Sequence, residues 1–282
     1  MDTSAEASAP TESPVPAKPA ASEEPPDRGR LSEIIGEEKT DKLIAQIATS
    51  PDAAWIAAHP DAYGIFRPHI QRKALRLAAD EPLATPFVRG MPSEPEDAQV
   101  DYAAPALDAG SPSPDAPSTD IPHLYQWDKR WGYTMYDGDS FGMSGCAPTA
   151  LAMVYQGLTG KSDLTPYDMG RLAFAGGFVS DSYGGTRMGY IEAASDQIGL
   201  HCEVLEISAD AIVSALADGR PVIAHVAPGT FTRVGHYLVL PEQSADGQVV
   251  INDPYSVANS GKLWNPALIA SESRELFAFS LA

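Results

Sequence analysis

The segment FGMSGCAPTALAMVY (residues 141–155) places a cysteine directly before a strong helical pattern. After Cys146, apolar residues recur at helical spacing, Leu151 and Val154 among them. A thiol at a helix N-terminus faces unpaired backbone N–H groups and the positive end of the helix dipole, which favour thiolate. Cysteine also packs as a small hydrophobe, so the alternative is a buried structural thiol. Gly145 favours the nucleophile, because bare backbone beside the thiol lets a substrate approach.

The charge of the 282-residue chain argues against nucleic acid as a partner. Asp and Glu number 38 against 19 Lys and Arg, which gives a net charge of −19. Residues 1–120 carry −11 (21 acidic, 10 basic) and residues 121–282 carry −8 (17 acidic, 9 basic). Neither half has the basic patch that nucleic acid requires. Because both halves are negatively charged, neither is attracted to an anionic membrane surface.

Targeting signals and membrane segments are not recognised in the sequence. No apolar run approaches the length of a membrane span. The first residues, MDTSAEASAPTESPVP, have neither a basic n-region nor an apolar h-region. The sequence therefore does not assign a compartment. The protein remains inside the cell, or it is secreted or at the cell surface if the true start lies upstream. Two cysteines make no disulfide framework, and the oligomeric state is not predicted.

Composition divides the chain into four parts. Residues 1–30 are rich in Ala, Pro, Ser and Glu, which predicts a disordered tail. Residues 31–90, called the helical unit below, carry helical patterns. Residues 91–119 have the Pro, Asp and Ala composition of a linker. Residues 120–282, called the main domain below, contain the dense core-forming pattern.

Two capping signals are predicted in the helical unit. Thr40 is expected to cap a helix that carries Leu43 on one face, and Ser50 is expected to cap a second helix that has proline at its first position. A third helical pattern follows Pro68. About sixty residues are marginal as an independent fold. We expect the unit to modulate the main domain by covering its groove, or else to be a passive docking module.

The sequence of the main domain predicts helices followed by an antiparallel sheet, which is the order of elements in an α+β fold. Helical patterns follow Cys146 and recur near residues 166–175 and 188–197, and Ser208 is expected to cap another helix. Strands are predicted at 201–207, 221–226, 236–240 and 248–252. The last two are predicted to form a hairpin across the turn Ser-Ala-Asp-Gly at residues 244–247.

Among six histidines, His236 is the candidate base for the thiol. It follows a glycine at the mouth of a core strand, where rigid scaffolds present catalytic groups. The predicted hairpin returns Asn252 and Asp253 to its side. Adjacent strand residues face opposite ways, so only one of the two can orient the imidazole. Asp253 is preferred, because a charge stabilises an imidazolium better; the alternative role for Asp253 is an Asx-Pro turn.

An acyl-transfer site also needs hydrogen-bond donors for the oxyanion. The backbone N–H of Cys146 is one candidate, and the side-chain amide of Gln126 is another. Trp127, Trp131 and nearby tyrosines form an aromatic group whose simplest role is core packing.

These residues resemble a bacterial family. The resemblance rests on IPHLYQWD (residues 121–128), SGCAPTALAM (144–153), Gly235-His-Tyr and the segment Asn-Asp-Pro-Tyr at residues 252–255. Together they resemble the cysteine peptidase family 39-like domains, which are related to the bacteriocin-processing, double-glycine peptidases and have a papain-like fold. The resemblance covers about residues 120–280. It implies Cys146 as nucleophile, His236 as base, Asp253 as orienter and Gln126 as oxyanion donor.

The sequence therefore predicts a thiol hydrolase that acts on peptide or isopeptide bonds of a peptide or protein substrate. Two alternatives remain: acyl transfer to an amine by the same triad, and a catalytically idle papain-like module used for binding. An intact Cys, His and Asp set favours the enzymes over the binding module. No spacing of potential ligands gives a three- or four-ligand metal site, so no metal or cofactor is predicted.

Overall fold

The computed structural model describes residues 24–63, 68–94, 98–101, 107, 120–179 and 185–282. Most of the predicted tail and much of the predicted linker lie outside these residues. The first helix begins at Arg28, within the stretch predicted as tail, and Asp27 caps it by accepting a hydrogen bond from the Arg30 backbone N–H.

The helical unit consists of short α-helices and single 3₁₀ turns. Its helices are α1 (Arg28–Ile35), α2 (Glu37–Ala45), α3 (Pro51–Ala58), α4 (Pro68–Asp80) and α5 (Thr85–Gly90). The Ser50 cap is confirmed, since its hydroxyl accepts from the Ala53 backbone N–H at 3.1 Å. The Thr40 cap is wrong: Thr40 lies buried inside α2. That helix starts after Gly36, whose φ of +82° separates it from α1 and favours glycine.

The helical unit shares an apolar core with the main domain. Leu75, Phe87 and Val88 pack in one cluster with Tyr125 and Trp127. Of these residues, Trp127 belongs to the aromatic group predicted to pack in a core.

Polar contacts join the same two parts. Lys73 pairs with the buried carboxylate of Asp139 at 2.7 Å, and the Tyr133 hydroxyl donates to the Phe87 carbonyl at 3.0 Å. A described part of the linker also contacts the main domain, since the Asp101 backbone N–H donates to the carbonyl of Arg130 at 3.0 Å.

Helices of the main domain surround a central helix that begins at Cys146. They are α6 (Phe141–Ser144), α7 (Cys146–Thr159), α8 (Pro166–Ala175), α9 (Tyr190–Gln197), α10 (Ala209–Ala217), α11 (Val257–Ser260) and α12 (Pro266–Glu272). Residues 147–155 of α7 are all buried. The predicted Ser208 cap of α10 is confirmed, with the Ser208 hydroxyl accepting from the Ala211 N–H at 3.1 Å.

An antiparallel sheet forms the second half of the main domain. Its strands are β3 (Leu200–Val204), β4 (Val222–Val226), β5 (His236–Leu240) and β6 (Ser273–Leu281); the short strands β1 (Met135–Tyr136) and β2 (Asp139–Ser140) form a separate hairpin. Within the described residues the larger sheet has the order β3-β6-β4-β5. One face packs on the cluster that contains α7, and the other packs on α10 and α12. The sequence did not predict β6, which lies between β3 and β4.

The predicted hairpin partner of β5 is not a regular strand. The backbone of residues 249–252 forms isolated bridges, of which Val239 with Asn252 joins this segment to β5. The prediction of a continuous strand over 248–252 is therefore wrong, and Val249 bridges to Trp264 as well. The bridge to Val239 still brings the end of the segment beside the start of β5.

Candidate active site

Cys146 is the first residue of α7, as the sequence predicted. Its N-cap is Gly145, which has no side chain to cap the first turn. The first backbone N–H groups of the helix therefore remain for another acceptor. A Cβ at position 145 would lie 2.4 Å from the ring of Phe141, so the close packing before the thiol requires glycine. Cys146 itself is half-buried.

His236 opens β5 and lies beside Val226 of β4. It is buried, and its Nε2 is 2.7 Å from Oδ1 of Asp253. Its imidazole also interacts with the Cys146 side chain, and this interaction helps to raise the pKa of His236. Because Nε2 is occupied by the carboxylate, Nδ1 is the ring nitrogen that remains for the thiol.

The electrostatics of His236 favour a charged ring. Burial lowers its pKa, but the charge and hydrogen bond of Asp253, together with Cys146, outweigh burial and raise the pKa to about 10. The carboxylate and the sulfur thus both stabilise an imidazolium.

Asp253 is fully buried and held by four donors. Its Oδ1 accepts from His236, from the Tyr255 N–H at 2.8 Å and from the Ser256 N–H at 3.0 Å. Its Oδ2 accepts from the Asn259 amide at 2.8 Å. Burial raises the pKa of Asp253, but the charge of His236 and these hydrogen bonds prevail and lower it. The carboxylate is therefore fixed in position and ionised.

Asn252, the alternative orienter, faces away from the imidazole. Its amide donates to the carbonyl of Ile121 at 3.2 Å, and its backbone exchanges hydrogen bonds with Val239. The alternation of side chains therefore places Asp253 at His236 and Asn252 on the other side, as the spacing argument expected.

Gln126 is buried between the two halves of the site. Its backbone N–H donates to the carbonyl of Pro254 at 2.8 Å, and its side-chain Nε2 donates to the carbonyl of Gly142 at 3.0 Å. Pro254 follows Asp253, and Gly142 lies four residues before Cys146. The amide thus lies near the turn that leads to Cys146, and it has a second N–H.

The other thiol and a second histidine lie elsewhere in the sheet. Cys202 is in β3 opposite Phe279, and burial raises its pKa to about 12. The Nδ1 atom of His225 is 2.8 Å from Oε2 of Glu275 in β6.

Three residues that support Asp253 were not found from the sequence. Asn259 and Ser260 lie in the short helix α11, and the Ser260 hydroxyl accepts from the Asp253 N–H at 2.9 Å. His123 contacts the Asp253 carbonyl at 2.9 Å. Their positions depend on the path of the chain after Asp253, which no local pattern indicates.

Metal ligands and membrane spans were sought in the described residues. In that part of the chain no group of three or more His, Cys, Asp or Glu side chains could hold a metal ion. None of its helices is long and apolar enough to cross a membrane.

Comparisons with known proteins identify the family. Residues 118–275, more than half of the chain, match the sequence model of the Peptidase_C39 like family. A solved structure, the peptidase domain of Streptococcus ComA, a bi-functional ABC transporter involved in a quorum sensing pathway, is 20% identical with a TM-score of 0.39. That alignment covers 49% of this chain and 92% of the ComA domain. No curated protein matches the chain. The family match confirms the α+β, papain-like class predicted from the sequence.

Proposed function

Since the chain belongs to the Peptidase_C39 like family, we propose that it is a cysteine peptidase that hydrolyses peptide bonds through Cys146, His236 and Asp253. One observation carries the proposal: a thiol at a helix N-terminus interacts with an imidazole whose Nε2 is bound to a buried carboxylate. This is the arrangement of nucleophile, base and orienter that covalent acyl transfer requires.

In the proposed acylation step, the Cys146 thiolate attacks the carbonyl carbon of the scissile bond. A C–S bond forms and the carbonyl electrons move to oxygen, which becomes an oxyanion. When the tetrahedral intermediate collapses, the C–N bond breaks and imidazolium Nδ1–H of His236 gives its proton to the leaving amine. A pKa of about 10 at His236 supports this role, because the ring is protonated at neutral pH.

The proposed oxyanion donors are the backbone N–H of Cys146 and the side chain of Gln126. The second N–H of the Gln126 amide is available to the substrate oxygen while the first holds the Gly142 carbonyl. This contact would stabilise the charge that develops on the oxygen in the transition state.

In the proposed deacylation step, neutral His236 removes a proton from water at Nδ1. The resulting hydroxide attacks the thioester carbon, the C–S bond breaks, and a carboxylic acid leaves. Thiolate and imidazolium are restored. Asp253 keeps the hydrogen on Nε2 and stabilises the imidazolium in both half-reactions.

The test is turnover of a fluorogenic peptide library by the full chain, with and without an added primary amine. We expect hydrolysis that is abolished in Cys146→Ala. An amide of the added amine as the main product would show acyl transfer instead of hydrolysis. Peptide binding without turnover in the wild type would show a binding module and refute the proposal.

A further inference from the structure

A buried carboxyl group of the helical unit reaches the loop that carries Asp253. Glu81 directly follows α4, and its residue is 3% exposed. Its Oε2 accepts from the Val257 backbone N–H at 3.0 Å, and the Ser256 side chain also interacts with the carboxyl group. These partners are separated from Glu81 by about 175 positions in sequence, so this contact links the two parts of the chain.

The partners of Glu81 belong to residues 253–260, called the Asp253 loop below. Val257 is the first residue of α11, and the Ser256 hydroxyl caps that helix by accepting from the Asn259 N–H at 3.3 Å. Asn259 in turn donates its side-chain amide to Oδ2 of Asp253. A chain of hydrogen bonds thus runs from Glu81 through α11 to Asp253 and then to His236.

A buried carboxyl group joins the two parts of the protein at a cost in free energy, because burial disfavours its charged form. Burial, opposed by the Ser256 and Val257 hydrogen bonds and reinforced by the negative charge of Asp253, raises the pKa of Glu81 to about 7. The ring stacking of Phe87 on Tyr133, by comparison, also joins the two parts and buries no charged group. The carboxyl group can accept hydrogen bonds from the donors at the start of α11. An apolar side chain has no acceptor for them.

We propose that Glu81 is a positioning residue of the triad. It holds α11 in place and, through Asn259, keeps the Asp253 carboxylate where it can bind His236. The helical unit is on this account part of the active-site framework. The inference rests on the proposed function, because the positioning matters only if Cys146, His236 and Asp253 act together. A displacement on the order of 1 Å in such a group costs up to about 100-fold in rate.

The experiment compares Glu81→Leu, Glu81→Gln and Asp80→Asn in the full chain. Leu has similar bulk but no acceptor, whereas Gln keeps one acceptor oxygen. Asp80 is the matched control: it is the last residue of the same helix, it pairs with Lys39 and Lys42, and within the described residues it makes no hydrogen bond with the Asp253 loop. Glu81→Ala serves as a second variant if Glu81→Leu does not fold.

The readouts are kcat, KM and the pH dependence of kcat/KM on a fluorogenic peptide. For Glu81→Leu we expect kcat to fall roughly 10–100-fold with KM within about threefold of wild type. The alkaline limb of the pH profile of kcat/KM should move to lower pH, because a displaced Asp253 stabilises the His236 imidazolium less well. Glu81→Gln should restore most of the rate, and Asp80→Asn should match wild type.

The inference is overturned if Glu81→Leu keeps wild-type kcat and pH profile, or if it merely lowers Tm. A wild type that does not turn over peptide would instead contradict the proposed function. In that case the rate of Cys146 alkylation by iodoacetamide decides the inference. Glu81→Leu should slow the alkylation of Cys146 at pH 6 several-fold relative to wild type, because a displaced imidazole activates the thiol less well, and an unchanged rate overturns the inference.

Discussion

Replacing Asp253 by asparagine removes a buried charge while keeping the size of the side chain. The amide oxygen of the new residue can still accept from His236, Tyr255 and Ser256, which all donate to Oδ1 of the carboxylate. The new NH₂ group, however, faces the donating amide of Asn259. Asp253→Asn therefore loses the charge and one of four hydrogen bonds, or requires Asn259 to turn its amide around.

The size of the effect follows from the hydrogen bond to His236. A hydrogen bond to a charged partner contributes about 1.5–3 kcal/mol and a neutral one about 0.5–1.5 kcal/mol, so the change costs about 1–2 kcal/mol when His236 is an imidazolium. With about 1.4 kcal/mol for each factor of ten, kcat/KM should fall roughly 5- to 30-fold at neutral pH. The pKa of His236 should fall as well, since the charge of Asp253 helps to raise it.

The assay is kcat/KM on a fluorogenic peptide between pH 5 and pH 10. Asp253→Asn should move the alkaline limb to lower pH, where the general acid His236 loses its proton earlier. Asn252→Ala is the control, because Asn252 lies in the same segment but hydrogen-bonds to Ile121 and not to the imidazole. An unchanged limb in Asp253→Asn, or a shifted limb only in Asn252→Ala, would refute the assignment of Asp253 as the orienter.

Two further predictions concern Gln126 and the stability of the fold. Gln126→Ala should lower kcat roughly 10²–10³-fold if its amide stabilises the oxyanion; a loss below threefold in a folded variant would exclude that role. Because the pKa of His236 is raised in the folded state, its stabilisation is complete below about pH 6.5 and is lost as pH rises toward about 10. The free energy of unfolding, measured by urea denaturation, should therefore fall between pH 6.5 and pH 9.5 in the wild type. It should fall less in His236→Gln, and equal slopes in the two proteins would contradict the charged pair.

Local patterns in the sequence were sufficient to place Cys146 at the start of a helix and His236 at the start of a strand. The helix that starts at Cys146 and the strand that starts at His236 are both signalled by residues within a few positions of them. Asp253 required only the alternation of side chains and an antiparallel return. Asp253 lies beside His236 even though the returning segment is not a continuous strand, because the bridge between Val239 and Asn252 preserves the alternation.

Those local patterns do not predict which segments pair when they are far apart in the sequence. β6 runs SRELFAFSL, and nothing near it indicates that it inserts between β3 and β4. The contact of Glu81 with the Asp253 loop was missed for the same reason, since its two sides come from opposite ends of the chain. The expectation that the helical unit modulates the main domain stays a prediction. Its core includes Tyr125 and Trp127, and Tyr255 and Val257 pack against it, whereas Cys146 packs against a different cluster.

Selective alkylation of the two thiols tests most directly whether Cys146 is the nucleophile. The folded full chain would be treated with substoichiometric iodoacetamide at pH 7, and the modified cysteine and the remaining peptidase activity would be measured on the same samples. The account predicts that Cys146 is modified first and that activity falls in proportion, while Cys202, whose pKa burial raises to about 12, stays unmodified. Equal modification of both cysteines, or full activity after Cys146 is alkylated, would contradict it.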